Sequence, residues 1–312
     1  MYFSDCKQPV KRKVIQIAES TQLVSLPRKW ALQHNLKKGD EVEVIEDGER
    51  VVIRAAKEAK PETTKIDVSK AVRLAERYLI AAYRSGYDEV EVIYDNPTML
   101  QRLQHTASSI LMGFEIVNQG ERTCVFRNIS SSLSSEFDNV LRRVFFITLA
   151  LARNTHDAIT QKRFERLTEG LALETTNNKF TLFCQRLLNK QGGGSYRLTT
   201  YLFLTIYQLE KIADHYKYIC EHLLKAKNRK LHAKTLKLFQ QANDQLNSYY
   251  ELFYKYDLQK AEEIAKNYHT LEASAEHAFN DTPSSDDEII HNLLSIVQLT
   301  FNLVGIRIGM EI

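Results

Sequence analysis

The chain has 312 residues, 44% of them hydrophobic and 26% charged, with a formal net charge of +3. These proportions are typical of a folded globular protein of two or three domains and exclude a disordered chain. No apolar run reaches the roughly 20 residues of a membrane span, and the N-terminal residues lack a signal-peptide core. We therefore expect a cytoplasmic protein without membrane insertion. Scattered cysteines without a CxxC pair argue against a disulfide or zinc framework: Cys6, Cys124, Cys184 and Cys220.

Charge is distributed unevenly near the N-terminus. Residues 7–38 contain eight basic residues and one acid, Glu19, whereas residues 40–49 contain six acids and no base. A basic lobe beside an acidic one is typical of nucleic-acid-binding modules. This charge pattern therefore predicts a polyanionic partner for the first segment.

Residues 7–57 have the pattern of a small β domain. The stretch KVIQIAES alternates apolar and polar residues, QLVSLP predicts a second short strand, and RKWALQHN predicts a short helix. The stretch EVEVIEDGERVVIRA predicts a hairpin, with Asp47-Gly48 supplying the positive φ angles of its turn. A segment this short cannot bury a core alone, so we expect it to form a homodimer.

The residues RKVIQIAESTQLVSLPRKWALQHNLKKGDEVEVIEDGERVVI resemble the AbrB/SpoVT/MazE family of swapped-hairpin DNA-binding domains. The resemblance implies that two chains interleave their hairpins and that basic residues of the dimer face DNA. Arg12 and Lys13 match the basic pair on the family's first strand, but Thr21-Gln22-Leu23 stands where many members carry an arginine. We therefore expect contacts chiefly to phosphates. The predicted DNA-binding residues are Lys11, Arg12, Lys13, Arg28 and Lys29.

A polar linker around Pro61 leads to a segment of mixed type, residues 64–128. The stretch DVSKAVRLAERYLIAAYRSG predicts an amphipathic helix that ends at Gly86, and DEVEVIYD predicts a strand. A second helix begins at Pro97, and GFEIVNQGERTCVFRNI predicts a hairpin. This order predicts a small αβαββ domain in which helices cover a sheet.

The remaining residues, 129–312, are predicted to be helical. No proline occurs between positions 98 and 282, so little interrupts long helices there. The predicted helices are 131–154, 157–190, 195–227, 230–256, 258–278 and 285–309. Two sets of three predict two three-helix bundles, residues 129–227 and 229–312. The predicted fold class is therefore a mainly α, multidomain protein.

The stretch QLEKIADHYKYICEHL carries an unusual acidic stripe on one of these helices. At about 100° per residue, Glu210, Asp214 and Glu221 lie along one face, where their oxygens could converge on a hard cation or on iron or manganese. Lys217 lies in the same stripe, three residues after Asp214 and four before Glu221, where it can pair with both. A bound metal ion and a carboxylate–lysine network without metal are thus both open.

The same stretch resembles the metal-binding motif of the PhoU family of phosphate-uptake regulators, which are built from two three-helix bundles. The resemblance implies a divalent or iron-type ion at the motif. Asn178 stands where the family has a further acid on the preceding helix, and Asn302 and Ile306 replace the acids of the second bundle. The matching residues are Leu209, Glu210, Ile212, Asp214, His215, Ile219 and Glu221.

Together the two resemblances predict a DNA-binding transcriptional regulator linked to phosphate uptake or homeostasis, and not an enzyme. No Ser/His/Asp or Cys/His arrangement supports catalysis, so no catalytic residue is predicted. The alternative is a cytoplasmic adaptor that acts on a phosphate transporter subunit or a signalling kinase. In that case the N-terminal domain would serve dimerisation only.

Overall fold

The computed structural model describes residues 11–55, 61–129, 136–226 and 230–312. Cys6 and the first basic position, Lys7, lie outside these ranges. The chain divides into two compact units, Met1–Pro61 and Glu62–Ile312. The predicted α/β and helical segments therefore belong to one unit.

The first unit consists of two antiparallel hairpins and one short helix. Strand β1 (Ile15–Ile17) pairs with β2 (Thr21–Leu23), helix α1 (Arg28–Gln33) follows, and β3 (Val42–Asp47) pairs with β4 (Arg50–Ala55). The turn prediction was wrong in one detail: Asp47 is the last residue of β3, and only Gly48 of the predicted pair has a positive φ, +60°. Glycine adopts this conformation without strain.

The second unit begins with a four-stranded sheet. Its elements are β5 (Thr63–Asp67), α2 (Ala75–Arg84), β6 (Glu89–Ile93), α3 (Pro97–Ile110), β7 (Phe114–Gln119) and β8 (Thr123–Asn128). The strand order is β5-β6-β8-β7, with β5 parallel to β6 and the other pairs antiparallel. The predicted αβαββ order was wrong because β5 precedes α2. The predicted first helix was too long because its first residues form β5 and turns.

Six long helices follow and form two three-helix bundles. The first bundle contains α4 (Phe137–Thr160), α5 (Leu167–Gln191) and α6 (Tyr196–Lys225). The second contains α7 (Ala233–Tyr254), α8 (Leu258–Asp281) and α9 (Asp287–Glu311). Helix α6 packs on α9 and α4 packs on α7, so one apolar core runs through both bundles. The predicted fold class, mainly α with two three-helix bundles, is confirmed.

The break between α4 and α5 lies later than predicted. Helix α4 continues to Thr160, and Lys162 then adopts a left-handed backbone conformation with φ +57°. A short 3-10 helix, Phe164–Arg166, leads into α5. Lys162 ends α4 in a left-handed conformation, which glycine commonly adopts at the end of a helix. Because neither glycine nor proline stands near this position, the sequence gives no local signal for the helix end.

Among the helices that the structure describes, one is long and apolar enough to cross a membrane by length and composition alone, namely residues 284–311. Half of its apolar window is buried inside the protein. Most of this segment is α9, which packs against α6, α7 and α8. The core of the bundles therefore covers half of this apolar window.

Arg186 of α5 attaches the α/β layer to the first bundle. Its side chain is 3% exposed, and Nη1 donates to the carbonyl oxygens of Tyr83 at 2.8 Å and Tyr87 at 2.7 Å. Its Nη2 donates to Asp88 Oδ1 at 3.1 Å, and Lys190 pairs with the same carboxylate. A buried guanidinium satisfied in this way fixes the position of one layer on the other.

We expect Arg186→Ala to lower the free energy of unfolding by about 3 kcal/mol, because it removes a buried donor from two backbone carbonyls and one of the donors to the largely buried Asp88 carboxylate. Urea unfolding followed by circular dichroism measures the loss. The matched control is Arg166→Ala, which removes an exposed pair with Glu169 and should cost less than about 1 kcal/mol. Equal losses for the two variants would contradict the anchoring role of Arg186.

Candidate functional sites

The five predicted DNA-binding side chains lie on two elements of the first unit, and all are exposed. The first three occupy an extended segment directly before β1, while Arg28 and Lys29 form the first turn of α1, immediately after Pro27. Exposed arginine and lysine side chains of this kind can reach phosphate oxygens. The three residues before β1 are Lys11, Arg12 and Lys13.

The first unit has an apolar face that its own residues do not cover. Ile15 pairs with Leu23 across the hairpin, so these two side chains share a face with Ile17. Their exposed fractions are 57% for Ile15, 45% for Leu23 and 52% for Ile17. No residue in the described part of this unit is buried. A β unit without a core of its own needs further apolar surface to fold stably.

The acidic stripe of α6 is neutralised by two lysines. Lys217 Nζ lies 2.7 Å from Asp214 Oδ1 and 2.7 Å from Glu174 Oε1. Lys211 Nζ lies 3.0 Å from Asp214 Oδ2 and 3.3 Å from Glu210 Oε1. Both carboxylate oxygens of Asp214 therefore accept a hydrogen bond from an ammonium group. We call these five residues the lysine–carboxylate network.

The second partner of Lys217 differs from the predicted one. Lys217 was expected to pair with Asp214 and Glu221, but its second carboxylate is Glu174 of α5. The side chain of Glu174 is only 7% exposed, and Asn178 Nδ2 donates to its Oε1 at 2.8 Å. Glu174 was not predicted, because the further acid on the preceding helix was expected at position 178. A glutamate one helical turn before that position is the signal that could have found it.

Burial and hydrogen bonding shift the pKa values of the groups in this network in opposite directions. Burial alone would raise the pKa of the Asp214 carboxyl, but the hydrogen bonds from Lys217 and Lys211 outweigh it and lower that pKa. Burial alone would lower the pKa of the Lys217 ammonium, but its hydrogen bonds to Asp214 and Glu174 outweigh burial and raise it. Both groups are thus charged at neutral pH.

The predicted metal ligands do not fit a metal ion in this arrangement. Within the ranges that the structure describes, no three His, Cys, Asp or Glu side chains come together as a possible metal site. Glu210 and Asp214 share Lys211, whereas Glu221 is outside the network. The oxygens that a cation would need already face ammonium groups. The two alternatives were a bound metal ion and a network without metal. The contacts support the second, the lysine–carboxylate network.

His215 joins the two bundles beside this network. Its Nδ1 lies 2.8 Å from Asn292 Oδ1 of α9, and its ring meets Tyr218 edge to face. Cys184 and Cys220 are fully buried in the core, and burial raises the pKa of their thiols to about 12 and about 11. Thiols with such pKa values are not reactive nucleophiles at neutral pH.

Comparison with known proteins finds a matching family model for the N-terminal residues and similarity to solved structures. The family described as antidote-toxin recognition MazE, bacterial antitoxin, matches residues 15–61. No curated protein matches this chain. The crystal structure of the phosphate transport system regulatory protein PhoU from Streptococcus pneumoniae is similar at 18% sequence identity and a TM-score of 0.46, covering 57% of this chain and 94% of that chain. The family match confirms the predicted resemblance of the N-terminal residues to the AbrB/SpoVT/MazE family.

Proposed function

We propose that this protein is a cytoplasmic, DNA-binding transcriptional regulator that acts as a homodimer through its first unit. The match of residues 15–61 to the MazE antitoxin family carries the proposal. The uncovered apolar face of the first hairpin supports dimerisation, because a second copy would bury it. The exposed basic residues before β1 and in α1 support DNA binding.

The DNA contacts in this proposal are made chiefly to phosphates. Two copies would present ten cationic side chains, five from each chain: Lys11, Arg12, Lys13, Arg28 and Lys29. Binding of this kind releases counterions, so the affinity falls steeply as the salt concentration rises.

We further propose that the two helical bundles of the second unit link the regulator to phosphate uptake. The support is the motif on α6, in which Leu209, Glu210, Ile212, Asp214 and His215 match the PhoU pattern. Its partners would be a phosphate transporter subunit or a signalling kinase. In this chain the lysine–carboxylate network would keep the motif folded without a metal ion, since ammonium groups neutralise Asp214 and Glu174.

The experiment for DNA binding is a salt series with the full chain and its Arg12→Ala/Lys13→Ala variant on duplex DNA. Loss of two phosphate contacts from each chain should reduce the slope of log K against log salt by about 3 to 4 for a dimer. Fluorescence anisotropy measures the affinity. The control variant, Arg73→Ala/Arg77→Ala, removes two exposed arginines of the second unit and should keep the wild-type slope.

The adaptor alternative predicts a different outcome of this series. If the first unit served dimerisation only, neither the wild-type chain nor its variants would bind duplex DNA at any salt concentration. Unchanged binding by the Arg12→Ala/Lys13→Ala variant would instead show that these side chains do not contact DNA.

A further inference from the structure

A cleft between α4 and α5 has the size and lining of a small-molecule site. Its volume is about 730 Å³, and Met112, which follows α3, adds a third wall from the α/β layer. Sites for small ligands commonly enclose about 300–1,000 Å³. The cleft is formed by nine residues: Met112, Glu136, Asn139, Val140, Arg143, Thr176, Lys179, Phe180 and Phe183.

The apolar part of the cleft is suited to a planar group. Phe180 and Phe183 of α5 and Val140 of α4 form its apolar lining, and the Arg143 guanidinium carbon lies 5.3 Å from the centre of the Phe180 ring. Aromatic rings and a guanidinium plane both stack on flat ligand groups.

The charged part of the cleft carries two cations without carboxylate partners. Among the described residues, neither Arg143 of α4 nor Lys179 of α5 makes an ion pair. Lys211, Lys217 and Arg307, by contrast, each lie against a carboxylate. Two cations that line one cleft, one from each helix, offer a site for an anionic group.

Helical spacing places the polar groups of each wall together. Asn139 and Arg143 are one turn apart on α4, and Thr176 and Lys179 are three residues apart on α5. The single carboxylate, Glu136, accepts a hydrogen bond from Asn139 Nδ2 at 2.9 Å. Its remaining lone pairs would accept hydroxyl or amino groups of a ligand.

We propose that this cleft binds a planar organic anion of nucleotide size. Arg143 and Lys179 bind its phosphate or carboxylate group, and Phe180 and Val140 contact its planar body. Because Met112 belongs to the α/β layer, the bound ligand contacts both that layer and the first bundle. This binding does not depend on the proposed DNA-binding function.

Isothermal titration calorimetry of the full chain tests the proposal with three probes: phenyl phosphate, 1-naphthyl phosphate and adenosine monophosphate. We expect wild-type protein to bind at least one of them. The Arg143→Ala/Lys179→Ala variant should bind that probe at least tenfold more weakly. Inorganic phosphate and adenosine, which each lack one half of the ligand, should also bind at least tenfold more weakly than the best probe.

The matched control is Arg153→Ala/Lys266→Ala, which removes two exposed cations from α4 and α8 and should bind the best probe as the wild type does. Circular dichroism melting checks the fold of each variant, and the single variant Lys179→Glu serves if the double variant does not fold. The proposal is overturned if no probe binds, if the cleft variants bind it as the wild type does, or if inorganic phosphate binds equally well.

Discussion

Ile15→Asp is expected to convert the protein to a monomer and to abolish its binding to duplex DNA at moderate salt. Ile15 is 57% exposed on the uncovered face of the first hairpin, which a second copy would bury. A dimer contains this site twice, and each copy would lose apolar burial and would bury a carboxylate. We expect the dimer dissociation constant to rise at least about 1,000-fold, which corresponds to about 4 kcal/mol. Sedimentation equilibrium measures it.

The matched control changes the opposite face of the same strand. Gln16 pairs with Gln22, and both side chains point away from the face of Ile15. Gln16→Asp introduces the same charge one residue away and should leave the protein dimeric. If Ile15→Asp stayed dimeric, or if both variants became monomeric, the first hairpin would not be the specific contact between two copies.

Lys217→Met is expected to lower the free energy of unfolding by about 3 kcal/mol or more. The change leaves Glu174, 7% exposed, without its ammonium partner, and removes one of the two partners of Asp214. Removing one member of a largely buried ion pair leaves an uncompensated charge in a poorly solvated place. Methionine keeps most of the apolar volume of lysine, so the loss of unfolding free energy reflects chiefly the removal of the ammonium charge. Urea unfolding measures it.

Lys211→Met is the control for this prediction. Lys211 is 35% exposed, and Asp214 keeps Lys217 when Lys211 is removed. We expect a loss of about 1 kcal/mol or less.

Addition of Mn²⁺ or Mg²⁺ should not raise the melting temperature of the wild-type protein, because ammonium groups neutralise the acids. A clear rise would favour the metal alternative.

The same network gives a pH dependence with a defined sign. The pKa of Asp214 is lowered in the folded protein, so its stabilising contribution is present above the unfolded pKa of about 3.9 and is lost as the pH falls through the lower folded pKa. In Lys217→Met the Asp214 carboxyl loses one of its two ammonium donors and takes up a proton more readily. The stability difference between wild type and variant should therefore shrink as the pH falls from about 7 to about 4.

Long elements with strong periodicity could be predicted from the sequence. Helix α6 was expected at 195–227 and extends over Tyr196–Lys225, and α8 was expected at 258–278 and extends over Leu258–Asp281. In such helices, apolar spacing and capping residues act locally, so the sequence carries their signal. Ser195 and Asp257, for example, cap α6 and α8 with their side chains.

The missed features depend on contacts between distant residues. Strand β5 is only five residues long and contains Lys65, and its pairing with β6 joins positions about 26 residues apart. Lys217 meets Glu174 across 43 residues. Neither contact follows from local propensity, because each requires that whole elements pack first.

Native mass spectrometry of the full chain, alone and with a short DNA duplex, tests the regulator proposal most directly. We expect dimers without DNA and complexes that hold two chains on one duplex. Raising the ammonium acetate concentration should release the duplex while the dimer persists, because phosphate contacts are sensitive to salt and apolar contacts are not. A monomer that retains no duplex at low salt would contradict the regulator proposal.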